Sequence, residues 1–289
     1  MTDKPLVAAE ATEQIHDRVH VIPDRRIEFV PNVGIVAGDD AVLVIDTAMG
    51  AENGERILSE AQRIAGDRKL FLTTTHFHPE HAFGAQAFKA HATYVANSSQ
   101  AEELADKGAE YVEMFSGFGP ALAELLDGVE LVAPEVTYMG VEARLDLGGV
   151  AVQLLYYGPA HTRGDQLVFL PEQRILFPGD LVENRFLPIF PDDDAVGGRW
   201  LALLDRIDAL DPAVVVPGHG APGDLGLVDE LRTYLLAVRQ RVEELNAQGR
   251  PLETIEATVD EEMRSRYSDW DNEVWIASAA KSFHAELAG

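Results

Sequence analysis

Positions 73–81 read Thr-Thr-Thr-His-Phe-His-Pro-Glu-His, so three imidazoles (His76, His78 and His81) and one carboxylate (Glu80) fall within six residues. Imidazole and carboxylate are the ligands that zinc and other borderline divalent ions prefer. The apolar run Leu70, Phe71, Leu72 lies just upstream. A run of strand formers entering a polar turn would set these groups at the C-terminal edge of a strand, where open α/β sheets bind ligands.

Three later turns repeat the pattern. Residues 158–165 (Gly-Pro-Ala-His-Thr-Arg-Gly-Asp) frame His161, Phe-Pro-Gly-Asp at 177–180 frames Asp180, and Pro-Gly-His-Gly at 217–220 frames His219. One histidine in a turn is usually structural. Three such turns, each closing a strand pattern in a chain that already carries His-x-His-x-Glu-His, point instead to a metal centre. With no cysteine in the chain, disulfides and thiolate ligands are excluded, and His, Asp and Glu must hold any ion.

The elements around these turns can be read from hydrophobic period. Residues 1–14 show no clear period and read as a mobile leader, with the folded part beginning at residue 19. Short strands are expected at 19–22 and 27–30, and a hairpin at 33–37 and 41–45 around a Gly-Asp turn, ending at Asp46. A helix at 52–65 presents Ile57, Leu58, Ala61, Ile64 and Ala65 on one face, and residues 69–74 form the strand that delivers the histidine cluster. After it come a short helix at 83–89, a strand at 93–96 and a helix from Ser98 or Ser99 to about Lys107. A helical stretch at 111–126 is interrupted by Gly117, Gly119 and Pro120, which makes 114–120 a candidate lid. Strands follow at 136–139, 143–146, 150–156, 166–170 and 174–177, then a helix at 198–210 and a strand at 213–216. Helical spacing continues at 225–247, 252–267 and 272–287.

An internal repetition emerges from this order. In the first half a hairpin ends in Asp46, a helix follows, and a strand leads to His76. In the second half the hairpin of 166–177 leads to Asp180, a helix follows, and the strand at 213–216 leads to His219. Two such halves suggest two sheets face to face with helices outside and the metal on the rim where they meet. No linker separates them. The expected organisation is a leader at 1–18, one αββα sandwich domain at 19–225 (two mixed sheets, helices on both outer faces), and a helical C-terminal extension at 226–289 packed on it.

Bulk composition narrows the function classes. The 289 residues are 46% apolar and 25% charged, ordinary for a globular protein, and no apolar run approaches the roughly 18 residues of a membrane span. The first residues lack the basic-then-apolar layout of a secretory signal, so a cytoplasmic location is expected. A net charge of −26 repels phosphate backbones, and nucleic-acid binding normally needs a basic stripe that is not found here. The expected partner is a small-molecule substrate, with neither nucleic acid nor membrane. The C-terminal helices make a homodimer plausible.

With these residues in view, the chain resembles the metallo-β-lactamase superfamily over about 19–225. That family's His-x-His-x-Asp-His motif matches 76–81 with Glu80 in the Asp position, and its later ligands match His161, Asp180 and His219 in order and context. The resemblance implies an αββα sandwich with a one- or two-metal site, usually zinc, although iron and manganese suit the same ligands. It implies that His76, His78 and His161 hold one ion and Glu80, His81 and His219 a second, with Asp180 bridging. Asp46 would orient a ligand imidazole from behind. It further implies a hydrolase in which metal-bound hydroxide attacks a small ester, lactone, thioester or amide, with Glu80 and Asp180 as catalytic candidates. The chain offers no Gly-x-Ser-x-Gly nucleophile to compete with it.

Glu80 departs from the family pattern. Its extra methylene carries the carboxylate about 1.5 Å further, whereas ligand distances matter to about 0.2 Å. Either the loop adjusts and Glu80 ligates, the reading adopted here, or the second site weakens and Glu80 serves as general base. The weaker second site would suit a mononuclear iron oxidoreductase of the persulfide-dioxygenase type, and a catalytically silent binding protein is the third alternative. Asn184 and Arg185, soon after Asp180, are expected to reach a substrate carboxylate. Phe118 and Phe186, with Phe77 and Trp200, are candidates for an apolar wall, and Trp270 and Trp275 for packing anchors.

Overall fold

The computed structural model describes residues 3–287. Two mixed sheets form the centre. The larger contains β1 (Glu13–His16), β2 (Val19–Ile22), β3 (Val33–Ala37), β4 (Ala41–Ile45), β5 (Lys69–Thr73), β6 (Ala92–Asn97) and β7 (Val136–Tyr138), in that spatial order. The smaller runs β12 (Val214–Pro217), β11 (Ile175–Gly179), β10 (Leu167–Leu170), β9 (Ala151–Leu155) and β8 (Glu142–Asp146). β3, β4, β10 and β11 are buried at every position, as strands covered on both faces must be.

Three apolar interfaces between four layers account for that burial. Val36, Leu43 and Ile45 of the large sheet meet Val152, Leu154, Val168, Leu170 and Phe177 of the small one. The other face of the large sheet packs against α1 (Gly50–Ala65), whose Ile57, Leu58, Ala61 and Ala65 make the apolar stripe expected from their spacing. The other face of the small sheet packs against α5 (Gly197–Leu210), α6 (Gly226–Ala247), α7 (Leu252–Arg266) and α8 (Ile276–Glu286). The arrangement is the αββα sandwich.

The internal repetition is realised in the strand pairing. β3 and β4 are an antiparallel hairpin, α1 follows, and β5 returns parallel to β4. β10 and β11 are an antiparallel hairpin, α5 follows, and β12 returns parallel to β11. Both returning strands therefore end on the same kind of rim, with His76 beyond β5 and His219 beyond β12.

Several local expectations are corrected. Of the leader at 1–18, Met1 and Thr2 lie outside the described residues; from Asp3 onward the segment carries structure. Val7 is buried and its N–H donates to Asn53 Oδ1 at 2.8 Å, and β1 pairs with β2. Residues 27–30 form a turn instead of a strand, with positive φ at Arg25, Arg26 and Phe29, a conformation that cannot extend a ladder. The helix expected to stop near Lys107 continues as α3 (Ser98–Gly117), and its cap is Asn97, whose side chain accepts from Gln100 N at 2.9 Å. Gly119 has φ of 150°, and α4 (Pro120–Leu126) starts afresh on Pro120. Among the described residues, no helix is long and apolar enough to cross a membrane.

Candidate metal centre

β5 ends at Thr73, and the chain turns through 74–78 into the single helical turn α2 (Pro79–Ala82), with Pro79 at its start. That turn folds His76, His78, Glu80 and His81 inward, all buried. Asp180 follows β11 directly, His219 follows β12, and His161 sits in the 158–165 turn. The structure gathers these seven residues into two sets that share Asp180: His76, His78, His161 and Asp180, and Glu80, His81, Asp180 and His219, each with one ligand-type atom per residue within 4.8 Å of the others. Glu80, the longer carboxylate, reaches the second set.

The tautomers can be assigned from the hydrogen bonds. His161 Nδ1 faces the carbonyl of Ile189 at 2.8 Å, so it carries the proton and leaves Nε2 bare toward His78 Nδ1 at 3.1 Å. His219 Nδ1 faces the carbonyl of Val30 at 3.0 Å, leaving Nε2 toward Asp180 Oδ1 at 3.8 Å. His81 Nδ1 faces Asp46 Oδ2 at 2.9 Å, leaving Nε2 toward Asp180 Oδ1 at 3.2 Å. His76 Nε2 completes the first set, 3.0 Å from His78 Nδ1 and 3.8 Å from Asp180 Oδ2. His161 and His219 thus turn bare nitrogens inward, whereas burial would lower His81 but Asp180 and Asp46 hold it well above the usual histidine range.

Among the described residues, Asp180 Oδ1 and Oδ2, Glu80 Oε2 and His81 Nε2 are buried without a hydrogen-bond partner. An unpartnered buried carboxylate costs several kcal/mol, on the order expected for breaking a buried pair. Cations placed between these atoms would satisfy all of them at once, so the residues present fit a divalent metal pair. Burial first, and then the neighbouring imidazoles, hold His76 and His78 well below the usual histidine range, in the neutral form a metal requires. Burial pushes the Glu80 carboxyl up to about 7. Burial would raise Asp180 as well, but His81 and His219 hold it well below the ordinary carboxylate range.

A layer behind the ligands fixes them. Asp46 accepts from Thr75 N at 2.7 Å and from Thr75 Oγ1 at 2.9 Å besides facing His81. Asp165 accepts from the backbone N–H groups of Ala160, His161 and Thr162, which sets the His161 turn. Asn32 Nδ2 donates to the carbonyls of Pro217 and Gly220, and Asp24 accepts from Gly220 N, which together hold the His219 turn. Gly218 lets that turn approach Asp180: a Cβ there would lie 1.9 Å from Asp180 Oδ1.

Over the ligands opens a cavity of about 510 Å³ with His78, Glu80 and His219 in its wall. Phe118 and Phe186 line it, as the sequence suggests. Asn184 and Arg185 do not line it, and the expectation that they bind substrate there is corrected. The Asn184 amide turns to the carbonyl of Ala221 at 2.7 Å, and Arg185, with φ of 60°, points out to Asp269 at 2.8 Å. Phe77 and Trp200 are fully buried behind the site instead of walling it, with the Trp200 ring against His161 at 5.5 Å. Trp275 is the reverse case, a presumed packing anchor that lines the cavity.

Three further residues matter here that their sequence context hides. Tyr111 stacks on His78 at 5.2 Å and 18°, with its hydroxyl donating to Asp192 at 3.3 Å. Lys107, one turn before it on α3, ties Asp192 and Asp194 at 2.6 Å each. Glu183 is buried with neither carboxyl oxygen partnered among the described residues; burial, then Asp180, pushes it well above the ordinary range. Its one sequence signal is an acidic residue three positions after Asp180 in an apolar run.

Comparisons with known proteins agree with this geometry. The family model described as the metallo-beta-lactamase superfamily matches residues 26–219. A linear primary-alkylsulfatase from Pseudomonas sp. (strain ATCC 19151) is 21% identical over 223 residues, 65% of this chain but only 41% of that enzyme; the chain thus spans about two-fifths of that relative's length. A type 2 metallo-beta-lactamase from Bacillus sp. (strain 170) is 27% identical over 207 residues, covering 70% of this chain and 71% of that one. Among solved structures, a metallo-beta-lactamase from Pontibacter korlensis superposes with a TM-score of 0.64 at 22% identity, over 78% of this chain and 98% of its own.

Proposed function

This chain belongs to the metallo-beta-lactamase superfamily, and on that premise we propose that it is a dinuclear zinc hydrolase of a small ester, lactone, thioester or amide. The observation that carries the reading is the pair of four-residue ligand sets joined through Asp180. His76, His78, His161 and Asp180 would hold one ion, and Glu80, His81, Asp180 and His219 the other. Bound divalent ions supply Lewis acidity and bring the pKa of water from about 16 to near 7.

The protein's own residues do the rest. Asp46 and the carbonyls of Ile189 and Val30 fix which nitrogen of His81, His161 and His219 faces the centre. Tyr111 stacks on one face of the His78 ring and Phe77 packs against it, and both hold its orientation. The open wall formed by His78, Glu80 and His219 is where an acyl group can reach the centre. In the hydrolysis, water oxygen bonds to the acyl carbon, the bond to the leaving group breaks, and a water proton passes to the departing atom. Having Glu80 within the second set favours two ions over the single iron of a dioxygenase.

The test is metal content by plasma mass spectrometry on protein purified without added metal, together with hydrolysis of esters, lactones and thioesters. Two zinc ions per chain and turnover that is lost in Asp180→Asn support the reading. One iron with oxygen uptake, or no metal retained after dialysis against zinc, overturns it.

A further inference from the structure

The cavity over the metal centre is walled mainly by apolar side chains, with Glu28 and Asn272 also on its lining. Above His78, Glu80 and His219 its wall is made by Phe29, Phe115, Phe118, Phe186, Val274 and Trp275 among others, and of the described residues that line it, none is Lys or Arg. The aromatic side is continuous: Phe29 packs on Phe115 at 5.5 Å and on Phe118 at 6.0 Å. At the mouth, Phe118 is 51% exposed and Val274 72% exposed. Large apolar side chains left in water around a concave site mark a surface that a ligand covers.

Three cations around the site are already paired. Arg26 pairs with Asp271 while its guanidinium lies over the Phe186 ring at 4.6 Å. Arg185 pairs with Asp269 at 2.8 Å, and Lys107 is shared by Glu103, Asp192 and Asp194. A tail ending in carboxylate, sulfate or phosphate would meet no partner in the cavity and a chain whose net charge is −26.

We propose that the substrate is an uncharged ester or lactone with an apolar acyl or alkyl tail, the carbonyl at the His78–Glu80–His219 wall and the tail along Phe29, Phe115 and Phe118. This rests on the hydrolase reading above and adds the substrate class. Hydrolysis uses water and gives a carboxylic acid and an alcohol. Beyond the metal centre, the described lining offers the product carboxylate no Lys or Arg to hold it.

Two measurements separate the tail from the chemistry. The first is kcat/KM for p-nitrophenyl alkanoates of increasing chain length, beside esters of the same length ending in a carboxylate and beside an alkyl sulfate. Each buried methylene is expected to raise kcat/KM roughly two- to fourfold until the cavity fills, and the anionic-tail esters should fall at least about tenfold below their neutral matches. Phe118→Ser should flatten the chain-length slope. The second is binding of 2-alkanones, which cannot be hydrolysed, read by tryptophan fluorescence with Trp275→Phe as control; affinity should rise with chain length in the wild type. Hydrolysis with a flat slope, or a preference for the anionic tails or the alkyl sulfate, overturns the tail proposal and leaves the hydrolase standing. Chain-length-dependent binding without turnover of any ester overturns the hydrolase reading and leaves an apolar-ligand site. Alkanone binding independent of length overturns the tail site whatever the turnover.

Discussion

His81 is held between two carboxylates: its Nδ1 lies 2.9 Å from Asp46 Oδ2, and its Nε2 lies 3.2 Å from Asp180 Oδ1. Asp46 closes the hairpin of the first half and Asp180 that of the second, so one imidazole registers the two halves against each other. Asp46 fixes the tautomer, which leaves Nε2 free to ligate. Replacing Asp46 by Asn keeps the shape but lets the amide present either a donor or an acceptor. Asp46→Asn is expected to weaken metal affinity or activity about 10- to 100-fold, the usual range for a partner behind a ligand. Chelator competition and kcat/KM would both register it; unchanged values would show that Thr75 alone orients the ring.

Gly218→Ala probes the closest approach in the site. The new Cβ would sit 1.9 Å from Asp180 Oδ1, and either the turn or Asp180 must move. The expected stability loss is about 1–3 kcal/mol, typical of overpacking, with metal content falling well below wild type. Full metal content and full activity in this variant would mean that the 217–220 turn is softer than its hydrogen bonds to Asn32 imply.

Removing the metal should loosen the protein as well as silence it. Without ions, Asp180 Oδ2 and Glu80 Oε2 stay buried without a hydrogen-bond partner among the described residues, and His81 is left as a buried cation between Asp46 and Asp180. An ion present at 100 times its Kd contributes about 2.7 kcal/mol, or a rise in melting temperature of roughly 4–5 °C for a chain of this size. Calorimetry before and after dialysis against a chelator measures it. Equal melting temperatures would argue against tight binding.

Glu183 offers a contrast between stability and function. A buried carboxyl without a partner costs about 1–3 kcal/mol, so Glu183→Leu is expected to raise the melting temperature of the metal-free protein. If Glu183 serves the centre, the same change lowers activity. A lower melting temperature would instead mean that Glu183 is satisfied in solution.

The Lys107 cluster gives a response to acid. Burial would raise the Asp192 carboxyl, but the hydrogen bond from Lys107 holds it below the ordinary range. A depressed carboxylate stabilises the fold above its unfolded value near 4, and that contribution is lost as pH falls through the folded value. Lys107→Met should cost about 1–2 kcal/mol at pH 7, between surface and buried pairs. In urea titrations the gap between wild type and variant should close below about pH 4. A gap that stays constant with pH would assign the loss to packing.

Much of this could be read before any coordinates, for a physical reason. Six of the seven residues gathered at the site are histidines or an aspartate framed by Gly and Pro or packed into one turn, and such turns are written locally. Glu80 was readable by position, and the repeated hairpin, helix and strand order by period. What escaped depends on contacts distant in sequence. Tyr111 reads as the start of the helical stretch at 111–126 until the fold continues α3 through it and brings it onto His78. Glu183 carries only the signal of an acid in an apolar run, and Trp275 reads as an anchor. Arg185 misled because adjacency to Asp180 says nothing of direction, and its positive φ turns it outward. The turn at 27–30 has strand-like residues, but strand propensity is realised only where a neighbouring strand accepts the ladder.

The repeated hairpin, helix and strand units have one more consequence. His76, His78, Glu80 and His81 come from the first unit, and Asp180 and His219 from the second, so an ion held by either set would clasp both. Neither unit alone would present a complete ligand shell. A pair of fragments divided between them would recover a working centre only by reassembling. That makes metal uptake a readout of whether the two halves have found each other.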